Sequence, residues 1–208
     1  MKKTKLRILQ TARALFNERG FLNVTIRQIA EALEMSSGNL NYHYRKREDI
    51  LEALYFEMVH HFDARVAALP QQEISFTQIR DDIYSSMLIM LDYQFFWTNL
   101  YQLLQLNTAI NSHFQAALQK RIGGYTFLFS ALQQMKLMHA PSFKDEHTLL
   151  GNQMIHFGNT WLYGAILYPE NDLNQAYAKQ QANALLMMLY PYLTAKGIEG
   201  LRAVAGVE

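Results

Sequence analysis

Cysteine is absent from the 208-residue chain, which excludes disulfides, thiolate metal sites and cysteine nucleophiles. Proline occurs four times and glycine ten, too few for collagen-like or low-complexity sequence. Long apolar runs are missing as well. Around Leu88 to Tyr101 they are interrupted by Asp92, Gln94 and Asn99, so no stretch of about 18 apolar residues is available to cross a bilayer. The N-terminus, Met1-Lys2-Lys3-Thr4-Lys5-Leu6-Arg7, is charged but leads into an amphipathic segment rather than an apolar signal core. A cytoplasmic address with no membrane partner is the expectation. Valine is scarce, five against twenty-nine leucines, which favours helix over strand. Without convincing strands there is no glycine-rich phosphate loop of the strand-to-helix kind. The residues present are 50% hydrophobic and 18% charged, enough for a sizeable core and for a globular chain of one or two domains.

The net charge of +1 conceals an asymmetry. Residues 1 to 50 hold ten Lys and Arg against five Asp and Glu, whereas the rest of the chain holds nine against thirteen. A basic segment joined to a mildly acidic one suggests a head that meets a polyanion and a body with another task. Chance clustering on a solvated face is the competing explanation, and charge alone does not choose between them.

Apolar spacing is helical wherever it can be read. Between Lys5 and Arg19, Ile8, Leu9, Ala12, Leu15 and Phe16 form one stripe, Gly20 stands where a left-handed cap belongs, and Phe21 can fold back on the stripe. Thr25-Ile26-Arg27-Gln28 has capping-box spacing, and Ile26, Ile29, Ala30 and Leu33 follow at i, i+3, i+4 and i+7. Ser36 opens a third helix of about two turns through Tyr44, and Glu48 and Asp49 sit in the first turn of a longer fourth. Beyond Pro70 long helices are expected over about Ser75 to Leu91, Gln94 to Asn107, Ala109 to Met138, Asp145 to Tyr168 and Asp172 to Ala195. Pro141-Ser142 and Pro169-Glu170-Asn171-Asp172 separate them, and Gly123-Gly124 and Pro191 are candidate kinks. The small-residue tail from Gly197 to Glu208 is expected to fray. The fold class is all-α with about nine helices.

Three short helices, the last opening Ser36-Ser37-Gly38-Asn39, suit a reader of the DNA major groove. A helix fits that groove, and its first residues reach base edges when they are small or carry short donors and acceptors. Ser36, Ser37, Gly38, Asn39 and Asn41 meet that need, and a residue without Cβ at 38 lets the backbone approach closely. A plain helix–turn linker, in which glycine merely eases the turn, is the alternative.

Residues Thr25 to Ile50, TIRQIAEALEMSSGNLNYHYRKREDI, preceded by Ala12-x-x-Leu15-Phe16 and Gly20-Phe21, resemble the signature of tetracycline-repressor (TetR) regulators over residues 5 to 55. The resemblance implies a three-helix DNA-binding domain, residues 1–47, and an all-helical ligand-binding and dimerisation domain, residues 48–208. It further implies a homodimer, a palindromic double-stranded operator and a small-molecule effector. By the same resemblance Thr25 caps the second helix on a phosphate, and Arg27 and Gln28 lie near the backbone or groove edge. Ser37, Gly38, Asn39 and Asn41 face base edges; Tyr42, His43 and Lys46 hold phosphates, although a packed His43 is as good a reading. Asn41 departs from the aromatic often found there, and Lys46 stands where a small capping residue is usual. Arg45-Lys46-Arg47 and Lys2-Lys3-Lys5-Arg7 would add nonspecific attraction.

The body offers no catalytic constellation. His60 and His61 are adjacent and point about 100° apart on a helix, which excludes them as a paired metal site. No metal, cofactor or enzymatic activity is expected. Aromatic residues are plentiful, and Trp97, Tyr101, Tyr125 and Phe129, with His156 and Trp161, are the candidate lining of a pocket for a hydrophobic or aromatic molecule. Ordinary core packing is the alternative for any one of them. Gly151 and Gly158 lie seven apart on one face, and the resemblance places them with Leu185, Met188, Leu189 and Tyr192 in the dimer interface. A repressor released from its operator by a small ligand is the reading; a helical carrier or scavenger of hydrophobic molecules is the alternative.

Overall fold

The computed structural model describes residues 2–68, 73–168 and 172–205. Eleven α-helices follow one another among these: α1 (Lys2–Arg19), α2 (Ile26–Ala32), α3 (Ser37–His43), α4 (Arg47–Ala68), α5 (Phe76–Asp92), α6 (Gln94–Thr98), α7 (Leu100–Leu106), α8 (Thr108–Gln134), α9 (Glu146–Leu167), α10 (Gln175–Met187) and α11 (Ala195–Ala205). Short 3-10 turns occupy Phe21–Asn23 and Tyr190–Tyr192, and Met138 and Leu193 form an isolated antiparallel bridge. The count exceeds nine because the expected helix from Gln94 to Asn107 is broken at Asn99, and because residues 195–205 form a further helix. No helix among the described residues is long and apolar enough to cross a membrane.

Packing groups the residues into two compact units, Met1–Ala64 with Asp92–His113, and Arg65–Leu91 with Phe114–Glu208. The boundary expected at residues 47 and 48 is the start of α4, a helix that continues without interruption through Ala68.

In the first unit, Gly20 takes φ 78°, where only glycine is at ease, and its amide closes on the Phe16 carbonyl at 2.9 Å. The turn throws Phe21 back onto Phe16, ring to ring at 5.1 Å. Thr25 and Gln28 form the full capping box: the Gln28 amide donates to Thr25 Oγ1 at 3.2 Å, and the Thr25 amide donates to Gln28 Oε1 at 2.7 Å. The turn after α2 is made without glycine, since Glu34 itself adopts φ 55°. Ser36 Oγ then accepts from the Asn39 amide at 3.1 Å and starts α3. Ile8, Ala12, Phe16, Phe21, Val24, Ile29, Leu40, Ile50, Leu51 and Leu54 are fully buried and form the core.

Residues 92–113 complete that core. Phe95 stacks on Phe16 with centroids 5.3 Å apart, and Asn17 holds the joint: its Nδ2 donates to the Asp92 carbonyl at 2.9 Å while its Oδ1 accepts from the Phe95 amide at 3.1 Å. Tyr93 Oη donates to Glu57 Oε1 at 2.6 Å beneath the Arg13 guanidinium, and burial together with Glu57 raises its pKa. Burial pushes Tyr55 up to about 12; its hydroxyl lies 2.9 Å from His113 Nδ1.

In the second unit α8 and α9 run antiparallel. Phe129 meets His147, Tyr125 lies on Gly151, and Arg121 lies on Gly158, with its Nη1 donating to Asn159 Oδ1 at 2.6 Å. The helix α8 continues through Gly123 and Gly124. Lys136, at φ 59°, ends the stretch after it, and Asn174 caps α10 by accepting from the Tyr177 amide at 3.0 Å. The expected helix from Asp172 to Ala195 stops at Met187; Pro191, which has no amide hydrogen, falls in the 3-10 turn. Residues 197–205 of the tail are helical where fraying was expected. Thr194 Oγ1 accepts from the Gly197 amide at 3.2 Å, α11 follows, and Leu201 is fully buried. Pro70, the stop at Pro169-Glu170-Asn171 and residues 206–208 of the tail lie outside the described residues.

Candidate nucleic-acid interface and the residues of the body

The helix α3 has one buried anchor, Leu40, and turns its remaining short side chains outward. Gly38, Asn39, Asn41 and Tyr42 are exposed, Tyr42 by 76%, while Ser37 and His43 are half-buried. A Cβ built on Gly38 would meet nothing nearer than Ser36 Oγ at 4.0 Å. Nothing among the described residues therefore requires glycine there, and Gly38 is exposed. Tyr42 and His43 contact each other edge to face at 5.3 Å.

Flanking groups differ in how free they are. Thr25 is exposed, but its hydroxyl and Gln28 Oε1 are engaged in the cap, which leaves the Gln28 amide nitrogen for outside work. Arg27 is exposed and paired at 2.8 Å with Glu31, which raises its pKa. Lys46 and Arg45 are exposed; the Lys46 amide donates to Asp49 Oδ2 at 3.2 Å, so the missing small cap is replaced in part by the acid three residues on. Lys5 lies 5.6 Å above the Tyr44 ring.

Arg47 is not the free cation that the basic run suggested. Its Nη1 donates to the carbonyls of Phe21, Leu22 and Val24 at 3.1, 3.2 and 2.9 Å, and its guanidinium lies 4.2 Å over the Phe21 ring. It ties the first residue of α4 to the turn between α1 and α2. The sequence carried one signal for this, an Arg immediately before Glu48-Asp49, but carbonyls leave no trace in sequence. Arg47→Ala is expected to destabilise the head by about 2–4 kcal/mol, as several charge-assisted bonds are lost together, with Arg47→Lys recovering part. Urea unfolding of the three proteins checks this.

The candidate pocket residues divide between the two units. In the first unit Trp97 is buried on Phe62 and Phe96, whereas Tyr101 is 74% exposed. In the second, Phe129 is buried beside Tyr125, Trp161 donates to Met90 Sδ at 3.3 Å and stacks on Tyr177, and His156 is exposed. Tyr125 alone of the six is half-buried. Two shallow depressions, of about 200 and 340 Å³, are lined by Arg80, Asp81, Tyr84, Lys179 and Ala182, and by Asp49, Glu52, Ala53 and Phe56, with none of the six among them. No group of three metal-ligating side chains occurs among the described residues.

The expected interface residues also divide. Gly151 and Gly158 are buried by Tyr125 and Arg121 of the same chain, and Leu185 and Leu189 are buried as well. The small residues serve the packing of α9 on α8. Met188 and Tyr192 are half-buried and keep surface.

A capped second helix, a tight turn and a seven-residue third helix with its polar face outward make this a helix-turn-helix DNA-binding protein with an all-helical body. Residues 8–54 match the family described as bacterial regulatory proteins, tetR family, and residues 57–201 match the one described as bacterial transcriptional repressor. The chain belongs to the TetR family of DNA-binding transcriptional regulators. No curated protein matches it. Among solved structures, a TetR-family regulator from Marinobacter aquaeolei VT8 shares 22% identity over 98% of this chain and 97% of its own, with a TM-score of 0.87. A transcriptional regulator from Saccharomonospora viridis, solved in complex with choline, shares 20% over 93% and 100%, at 0.71. The ketosteroid transcriptional regulator KstR2 of Mycobacterium tuberculosis shares 16% over 92% and 95%, at 0.70. At these identities the likeness is one of fold.

Proposed function

We propose that the protein is a cytoplasmic homodimeric repressor, not an enzyme, that holds a palindromic operator and releases it when the body binds a small organic effector. The outward face of α3, with Gly38, Asn39 and Asn41 exposed over buried Leu40, carries this reading. Ser37, Gly38, Asn39 and Asn41 read base edges; Thr25, Arg27, Gln28, Tyr42, His43 and Lys46 position the head on the backbone. Residues 1–47 are the reading head and 48–208 the responding body. A second copy docks on the outer faces of α9 and α10 and on the turn that follows α10, where Met188 and Tyr192 still have surface to give.

Coupling needs an element common to both tasks. The helix α4 begins at Arg47 in the first unit and ends, from Arg65, in the second. An effector that binds one pose of α4 better than another changes the separation of the two reading helices, and only that difference in affinity can release DNA. The similarly folded regulator from Saccharomonospora viridis, solved in complex with choline, supports the expectation of a small organic effector.

Selection from a random duplex library, followed by salt titration, tests the reading. A two-half-site consensus is expected, and Asn39→Ala with Asn41→Ala should each weaken it by about 1–3 kcal/mol per half-site while relaxing the preferred base. Weak binding that no sequence improves, with a salt slope expected of phosphate contacts alone, would overturn it in favour of a carrier of hydrophobic molecules.

A further inference from the structure

Among the described residues, the helix pair α8 and α9 carries a guanidinium without a counter-charge, that of Arg121. Arg121 lies over Gly158, where a Cβ would come within 3.5 Å of its Nη2, and its hydrogen-bond partner is the neutral Asn159 amide. Among the described residues no carboxylate lies within ion-pair distance of it. Besides Tyr125, the group that acts on it electrostatically is a second cation, Arg65, on the last turn of α4. Arg65 pairs with Asp82 of α5, and its buried Nε has no partner. Tyr125, one turn along α8 from Arg121, is within electrostatic reach of all three groups.

Two guanidinium groups and one carboxylate leave an excess of one positive charge. Desolvation pushes the pKa of Arg121 down and that of Tyr125 up, with Arg65 adding to the fall at Arg121. Removing an unpaired cation from water is costly, and as a strut between α8 and α9 an apolar chain would serve better. The groups are reachable all the same: Arg121 and Tyr125 are half-buried, and the side chains of Arg65 and Asp82 keep 22% and 23% of their surface.

We propose that Arg121, backed by Arg65 and flanked by Tyr125 and Asn159, is the anchor of an anion site in the body, and that its ligand is a small organic carboxylate. A monoanion balances the excess charge, whereas a phosphate monoester would overshoot it. The planar fork of arginine suits a carboxylate, and Leu185, at 4.0 Å from a Cβ on Gly158, and the Tyr125 ring offer apolar contact to the remainder. The site deepens the reading of the body as the effector domain, on which it rests. It also places the ligand against α4, the helix that starts at Arg47.

Calorimetric titration of the full chain without DNA tests this, with benzoate and octanoate as probes and benzyl alcohol and octan-1-ol as their uncharged counterparts. One carboxylate per chain should bind, with the matching alcohol at least about tenfold weaker. Arg121→Met, which keeps the volume over Gly158, should weaken the carboxylate about tenfold or more, and Arg121→Lys should fall between. Equal binding of acid and alcohol by the unaltered protein, no binding below about 10 mM, or undiminished binding to a folded R121M would each overturn the proposal. The acid–alcohol comparison decides even where the variant does not fold. A failed operator selection would leave these titrations untouched, so the two readings fail separately.

Discussion

Phe16→Ala is expected to lower the stability of the protein by about 3–5 kcal/mol, read as a fall in the urea midpoint at unchanged slope. The residue is fully buried, with Phe21 at 5.1 Å on one side and Phe95 at 5.3 Å on the other. Its ring is thus the common packing partner of the α1–α2 turn and of α6. Removing it opens a cavity whose walls are themselves pinned, Phe21 beneath Arg47 and Phe95 through Asn17, so collapse into the space is restricted. Operator affinity should fall with it at temperatures where the unaltered protein holds DNA. A loss below about 1 kcal/mol would show that the aromatic stack is not what unites these elements.

Gly197→Ala should be nearly as damaging. A Cβ there would be driven into the Leu137 carbonyl oxygen, with the Leu193 Cβ at 3.1 Å on another side. Neither neighbour is a flexible tip. The Leu137 carbonyl is held by the Thr194 amide at 3.0 Å, and the strand-like pairing of Met138 with Leu193 fixes the surrounding backbone. The expected cost is at least the 1–3 kcal/mol of an overpacked site. It should appear as early amide exchange throughout α11 and as new proteolytic cleavage after Thr194, with the head unaffected. Protection equal to that of the unaltered protein would overturn it.

Much of the head was legible because its instructions are local. Gly20, the Thr25–Gln28 box and the Ser36 cap each act within four residues, and each occurs where the spacing puts it. Glu34 was not legible: a residue other than glycine entered the left-handed region because the turn's bonds to Glu31 and Ala30 hold it there. The body was read correctly as helical and less well in detail. Periodicity finds a buried face but not its neighbour: that Gly151 and Gly158 meet Tyr125 and Arg121 of the same chain is written nowhere in their spacing. The same blindness hid Arg47, whose partners besides the adjacent Glu48 are backbone oxygens. In the tail the cap is local too, Thr194 three residues before Gly197, whereas the burial of Leu201 depends on packing that the sequence does not spell out.

Because the core of the first unit is completed by Asp92–His113, the head is not a bead that can be cut from the string. A chimeric regulator made by grafting residues 1–47 onto a foreign body would inherit the groove-reading face while losing Phe95 from its floor and Asp92 and Phe95 from the grip of Asn17. Re-targeting this protein to a new operator is better done by rewriting the outward positions of α3 in place. Transplants between relatives must carry the aromatic segment after α5 along with the helices that touch DNA.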